Sequence, residues 1–415
     1  MTGKSTRREF CQRASGGTGW ALASPAGWTW PSRLAADALP QNSDSLGQTP
    51  PPGADLLSNP RYALGAKFRL QQFIQRGADP QQAEAIFHRL SDLDPQRWVD
   101  EWTRLAEPCQ QQAARLETQG RTQEAKDAYQ KASMYYGIAK FPVINHPAKQ
   151  AAYRKCIDTY LQAARYFDPP LERVAIPFEG RTIVGYLRRP HGVSKPPVVI
   201  ATGGIDVYKE DRDTADLLDA GLAAFSTDMP GNGESPVWYT PDADRFYSAV
   251  IDYLLTRNDL DGARLGILGR SYGGYWSGKM AYAERKRIRA AVQWGGPIHY
   301  TFQEPWLRHL QDDKLYLWSI LDSMIYAHHV KDFDELLQQA PSPSLKTQGW
   351  LAKPAAPLLT IDGAKDPWIT VQDIYILLES GEPKAARIYP NGGHMGGDPG
   401  TTKLVMSWLR SQLLQ

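Results

Sequence analysis

The feature that most constrains this chain is an apolar run, Leu265–Leu268, that ends in Gly269-Arg270-Ser271-Tyr272-Gly273-Gly274 and passes straight into the helical stretch Tyr275–Ala283. A strand that becomes a helix so abruptly needs a very tight turn. The positions two before and two after its apex can then carry almost no side chain. Gly269 and Gly273 meet that need, and Gly274 lets the helix lie close to the strand. Ser271 is therefore predicted to stand at the apex with its hydroxyl forward, the setting of a nucleophile. The plain alternative is a glycine-rich turn without chemistry.

A serine hydroxyl attacks poorly unless a base takes its proton and an acid orients that base. Of the eight histidines, His394 has the expected place, in the glycine-flanked loop Asn391-Gly392-Gly393-His394-Met395-Gly396-Gly397 before a C-terminal helix over 402–414. Two acids follow the apolar run Pro357–Ile361, in Asp362-Gly363-Ala364-Lys365-Asp366. Asp366, a few residues beyond the strand end, is the first choice for the acid, and Asp362 is held in reserve. The chain order is then serine, acid, histidine. Donors for a developing oxyanion are expected from the backbone N–H of Tyr272 and from Gly204 or Ile205, in the loop Thr202-Gly203-Gly204-Ile205-Asp206. The pair His328-His329 reads as structural, since adjacent histidines on a helix point apart and no spaced third ligand accompanies them.

Around this constellation, Arg173–Phe178 and Thr182–Leu187 alternate about Glu179-Gly180, which predicts a β-hairpin. Strand-length runs then alternate with helical ones: Pro197–Ala201, Ala223–Thr227, Leu265–Leu268, Ala290–Trp294, Pro357–Ile361 and Ala386–Tyr389. Such β-then-α alternation specifies an α/β fold, a mostly parallel doubly wound sheet with helices on both faces. Residues 61–170 differ. Helical periodicity dominates there, with a hairpin of helices broken at Gly120, and a helical domain covering the site is predicted. Residues 39–60 are rich in Pro, Gly, Ser and Asn and read as a linker. A helical insertion is expected over about 299–349, carrying Trp306, Tyr316, Trp318 and Tyr326.

Upstream, Thr6-Arg7-Arg8-Glu9-Phe10 resembles a twin-arginine export signal, followed by a weakly apolar stretch and the small-x-small site Ala36-Asp37-Ala38. Residues 1–38 are thus expected to be a leader, placing the protein in the periplasm or outside the cell. The alternative is an N-terminal tail that happens to hold two arginines, in a cytoplasmic protein. With a formal net charge of +2 over 415 residues and no dense basic run, a nucleic-acid surface is not expected. Nor is stable membrane association, because no segment approaches the ~18 apolar residues of a span. The three cysteines have no zinc-type spacing; without the leader, Cys109 and Cys156 either pair or remain buried thiols.

Asp228-Met229-Pro230-Gly231-Asn232-Gly233-Glu234-Ser235 strongly resembles the α/β-hydrolase superfamily. Together with the helical region before the core, the 202–206 loop and Trp294-Gly295-Gly296-Pro297-Ile298-His299, it is similar to one family. That family joins fermentation–respiration-switch esterases, 2,6-dihydroxypseudooxynicotine hydrolases and fungal polyketide-shortening hydrolases. The resemblance covers about residues 60–415. It implies an α/β-hydrolase fold with an N-terminal helical domain, a triad of Ser271, Asp366 and His394, and no cofactor. Small-molecule esters are the implied substrates, with C–C bonds of aryl ketones or polyketide-like β-diketones as the alternative, and the site often lies at a homodimer interface. For C–C cleavage the resemblance implies an added glutamate, for which Glu304 is the candidate substrate-binding residue beside His299; a solvated loop carboxylate is the bland reading of Glu304. The remaining alternative is a catalytically inactive binding module.

Overall fold

The computed structural model describes residues 53–380 and 384–415. The expected leader and most of the linker lie outside the described residues. Five helices come first: α1 (Ala63–Gln75), α2 (Pro80–Arg89), α3 (Pro95–Thr118), α4 (Thr122–Ala139) and α5 (Pro147–Ala164). Proline stands in the first turn of α2, α3 and α5, where its missing N–H costs no helical bond. Asp79 and Asp94 cap α2 and α3 by accepting from the backbone N–H groups of Gln82 and Arg97. The α3–α4 hairpin turns at Gly120, whose φ of +75° suits a residue without a Cβ. The end of the expected linker is part of the fold: Leu56 is buried and its N–H donates to the carbonyl of Leu90 at 2.8 Å.

An eight-stranded sheet follows, in spatial order β1-β2-β4-β3-β5-β6-β7-β8. The strands are β1 (Leu171–Phe178), β2 (Arg181–Arg188), β3 (Pro197–Thr202), β4 (Ala223–Thr227), β5 (Asp261–Arg270), β6 (Ala290–Trp294), β7 (Leu358–Gly363) and β8 (Lys384–Tyr389). The β1–β2 hairpin and the β2–β4 pair are antiparallel, and the other pairs are parallel. Alternate residues of the central strands enter two different cores. Val198 and Ile200 face a large one shared with Phe73, Trp98 and Trp102 of the first helices and with Tyr275 and Trp276. Val199 and Ala201 face a smaller one built with Leu217 and with Val405 and Leu409 of the C-terminal helix. A sheet covered on both faces explains why these strands are apolar throughout.

The remaining helices are α6 (Ala215–Asp219), α7 (Asp244–Leu255), α8 (Gly273–Ala283), α9 (Glu304–His309), α10 (Ile320–His328), α11 (Phe333–Gln339), α12 (Gln372–Leu378) and α13 (Thr401–Leu413). Helices α9 to α11 fall between β6 and β7, within the expected insertion. The segment between α9 and α10 meets the first helix closely: a Cβ at Gly65 of α1 would lie 2.8 Å from the Cα of Leu317. Among the described residues no helix is long and apolar enough to cross a membrane.

Sheet order also fixes where a site can form. The strand order reverses at β3, which lies between β4 and β5, and open α/β sheets bind ligands at such a reversal, beyond the strands' carboxyl ends. In register, Thr202 of β3 pairs with Gly269 of β5, so the 202–206 loop and the serine turn leave the sheet side by side.

Candidate active site

Ser271 has φ +53°, a left-handed conformation unusual for a side chain with a Cβ. Its N–H donates to the Trp294 carbonyl at 2.7 Å, and its carbonyl accepts from Gly274 at 2.7 Å, which holds the turn. The glycines around it are there for want of space. A Cβ at Gly269 would come within 2.1 Å of the Gly273 carbonyl oxygen, and one at Gly273 within 2.2 Å of that of Gly203.

His394 lies in the loop after β8 and is 4% exposed. Its Nε2 is 2.7 Å from Ser271 Oγ and its Nδ1 is 2.5 Å from Asp366 Oδ2. With a carboxylate accepting at Nδ1, that nitrogen carries the ring proton and Nε2 is left to accept from the serine. Asp366 is itself held, since its Oδ1 accepts from the N–H groups of Trp368 at 2.8 Å and Ile369 at 3.0 Å. The Trp368 ring stands edge-on against the imidazole, with centroids 5.2 Å apart.

Asp366, the first choice of the two acids, is therefore the one that meets His394. Asp362 instead accepts from the N–H groups of Met395 and Gly363, both at 2.8 Å, and so ties the histidine loop to the end of β7. Burial, reinforced by neighbouring Asp366, raises its pKa well above the ordinary carboxylate range. Asp362, Asp366 and His394 bring one donor atom each within 4.8 Å of one another. Both ring nitrogens are already engaged by Ser271 and Asp366, so the cluster is a hydrogen-bond relay rather than a metal cage.

Gly204, Ile205 and Tyr272 line the same pocket as Ser271 and His394. A Cβ at Gly204 would lie 2.9 Å from Ser271 Cβ and 3.1 Å from Oγ, so only a residue without a side chain fits the loop here beside the hydroxyl. The walls of the pocket are mainly apolar. Arg69 of α1 and Tyr316 and Ile320 of the insertion complete it. Of the four insertion aromatics singled out in the sequence, only Tyr316 is a pocket wall. Trp318 packs edge-on against Trp98 of α3, Tyr326 against Trp238, and the Trp306 indole N–H donates to the Trp368 carbonyl.

Two expected substrate-binding residues lie elsewhere. Glu304 begins α9 on the surface and pairs with Arg308 at 2.8 Å, because the first turn of that helix faces solvent. His299 is half-buried, with Nδ1 2.7 Å from Ser344 Oγ. Its backbone N–H, with those of Ile298, Tyr300 and Thr301, is bound by the buried Asp373 carboxylate, so this stretch is a structural loop. Cys109 and Cys156 are free thiols, Cys156 being buried on α5 against Ser133. The two adjacent histidines do point apart: His328 Nε2 meets the Tyr272 hydroxyl at 2.8 Å, while the His329 ring stacks on Trp238 at 4.2 Å. Arg69, Asn232 and Trp368 were missed as site residues by sequence reasoning. Asn232 alone carried a signal, its place in the Asp228–Ser235 stretch.

A mostly parallel sheet with this serine turn defines an α/β-hydrolase. More specifically, the family described as Esterase FrsA-like matches residues 68–413, and the chain belongs to it. It is 28% identical over 402 residues to Esterase FrsA of Vibrio cholerae serotype O1 (strain M66-2), covering 90% of this chain and 95% of that one. A 2,6-dihydropseudooxynicotine hydrolase of Paenarthrobacter nicotinovorans is 32% identical over 203 residues, covering 48% of this chain and 55% of the relative. The crystal structure of the 2,6-dihydroxy-pseudo-oxynicotine hydrolase superposes with a TM-score of 0.71 at 25% identity, covering 82% of this chain and 95% of that one.

Proposed function

We propose that this chain is a serine hydrolase that cleaves a carboxylic ester of a small molecule through an acyl-enzyme. The carrying observation is the continuous relay Ser271 Oγ, His394, Asp366, at 2.7 and 2.5 Å, beside a loop whose Gly204 leaves no room for a Cβ next to the hydroxyl. In this reading His394 Nε2 takes the Ser271 proton as Oγ bonds to the ester carbonyl carbon. Asp366 holds the ring tautomer and stabilises the imidazolium. Backbone N–H groups of Tyr272 and of Gly204 or Ile205 receive the oxyanion. Collapse breaks the ester C–O bond, and the departing alcohol takes the proton from His394. Water, deprotonated by His394 in turn, then releases the acid and restores Ser271.

Cleavage of a ketone C–C bond is a second reading, favoured by the likeness to the 2,6-dihydroxy-pseudo-oxynicotine hydrolase. Glu304 does not serve it, being on the surface; the carboxylate that lines the pocket besides the relay is Asp206. Hydrolysis of a p-nitrophenyl ester series by the full chain, beside its Ser271→Ala variant, tests the proposal. The expected result is activity in the parent that falls by about 10³-fold or more in the variant. Equal rates in both would reject Ser271 as nucleophile, and silence in both would turn attention to ketones.

A further inference from the structure

One wall of the pocket carries a cation with an unused binding edge. Arg69, on α1, is 4% exposed and lines the pocket with Ser271 and His394. Its guanidinium lies over the rings of Phe141 at 4.3 Å and Tyr316 at 5.1 Å. Nη1 faces Asp206 Oδ2 at 3.5 Å, and that oxygen also accepts from the Tyr316 hydroxyl at 2.9 Å. Nε and Nη2 are buried and have no hydrogen-bond partner among the described residues. These two nitrogens form the side of a guanidinium that takes a carboxylate through two parallel bonds. Elsewhere in the chain, Arg89 turns the same edge to a single oxygen of Glu101, at 2.9 and 2.6 Å. A buried charged donor without an acceptor is costly, and such groups persist where function uses them.

The surroundings favour an anion further. Arg212 and Arg270 also line this pocket, and Arg212 Nε and Nη1 and Arg270 Nε are likewise buried without a hydrogen-bond partner among the described residues. Asp206 is the one carboxylate among the pocket-lining residues, and its Oδ2 is already shared by Tyr316 and Arg69.

We infer that the substrate is an ester with a carboxylate at its far end, and that Arg69 grips this carboxylate through Nε and Nη2. The inference rests on the ester-cleaving reading of the same pocket. Arg69 then sets specificity by charge, while its planar fork fixes the ester relative to Ser271; lysine would keep the charge but lose the fork.

The test compares p-nitrophenyl half-esters of succinic, glutaric and adipic acids with their methyl-capped, uncharged counterparts. Full-length parent, Arg69→Lys and Arg69→Gln are assayed together. The parent is expected to prefer at least one anionic ester over its capped twin by about tenfold or more in kcat/KM, and both variants to bring that ratio close to one. A smaller preference in the parent overturns the inference, and so do equal losses on charged and capped esters in the variants. Should the variants fail to fold, the parent's charge preference decides alone. If the parent hydrolyses no ester, the esterase reading fails, and calorimetric titration with glutarate decides the site separately. Binding weakened about tenfold or more in Arg69→Lys upholds the anion site; equal binding, or none by the parent, removes it.

Discussion

Asn232 donates from Nδ2 to the carbonyl oxygens of Gly204, at 3.1 Å, and Ile205, at 2.8 Å. In a trans peptide the N–H points opposite to the carbonyl. The grip on the Gly204 oxygen therefore fixes the direction of the Ile205 N–H, one of the two amides proposed for the oxyanion. Asn232→Ala is predicted to lower kcat on a neutral p-nitrophenyl ester by about 10- to 100-fold with a smaller change in KM, in line with partial loss of an oxyanion donor. Steady-state kinetics check this; a pure KM effect would contradict it.

The two acids after β7 are predicted to separate sharply on mutation. Asp366→Asn removes the charge that orients His394 and should lower kcat by about 10³- to 10⁴-fold. Asp362 Oδ1 only accepts, from the N–H groups of Met395 and Gly363, and an amide oxygen reproduces that role. Asp362→Asn should cost less than about tenfold. Kinetics of the two variants at neutral pH provide the comparison.

Burial holds the His328 imidazole neutral by pushing its pKa down to about 3 from an ordinary 6.5. The unfolded chain takes up this proton near 6.5 while the folded one refuses it until about 3. Stability is therefore full above pH ~6.5 and falls as pH drops through that window, by about 1.4 kcal/mol per unit. Between pH ~7 and ~5, parent protein should lose about 2 kcal/mol more than His328→Gln, as measured by denaturant unfolding at both values. Parallel losses would contradict this assignment.

Much of this architecture was written in local pattern. The hairpin about Glu179-Gly180, the apolar strands and the turn at Ser271 each follow from short-range steric rules, and chain order then pointed to His394. Position after the strand also favoured Asp366 over Asp362, but what brings Asp366 rather than Asp362 to His394 was not written in the local pattern. It depends on the path of the turn, where a Cβ at Gly363 would come within 2.1 Å of the Gly393 carbonyl oxygen. Arg69, and which of the four insertion aromatics would reach the pocket, were out of reach for another reason. Arg69 and Tyr316 come to the pocket from α1 and from the insertion, and only the packing of those segments, as at Gly65 against Leu317, brings them near Ser271. Glu304 was the converse error: nearness in sequence to β6 did not become nearness in space.

The central claim, that Ser271 is an activated nucleophile, is met most directly by treating the full-length protein with a fluorophosphonate and locating the adduct by mass spectrometry. The account predicts a single adduct on the peptide carrying Ser271, absent from Ser271→Ala and formed far more slowly in His394→Ala. No adduct, or equal labelling of the parent and Ser271→Ala, would contradict it.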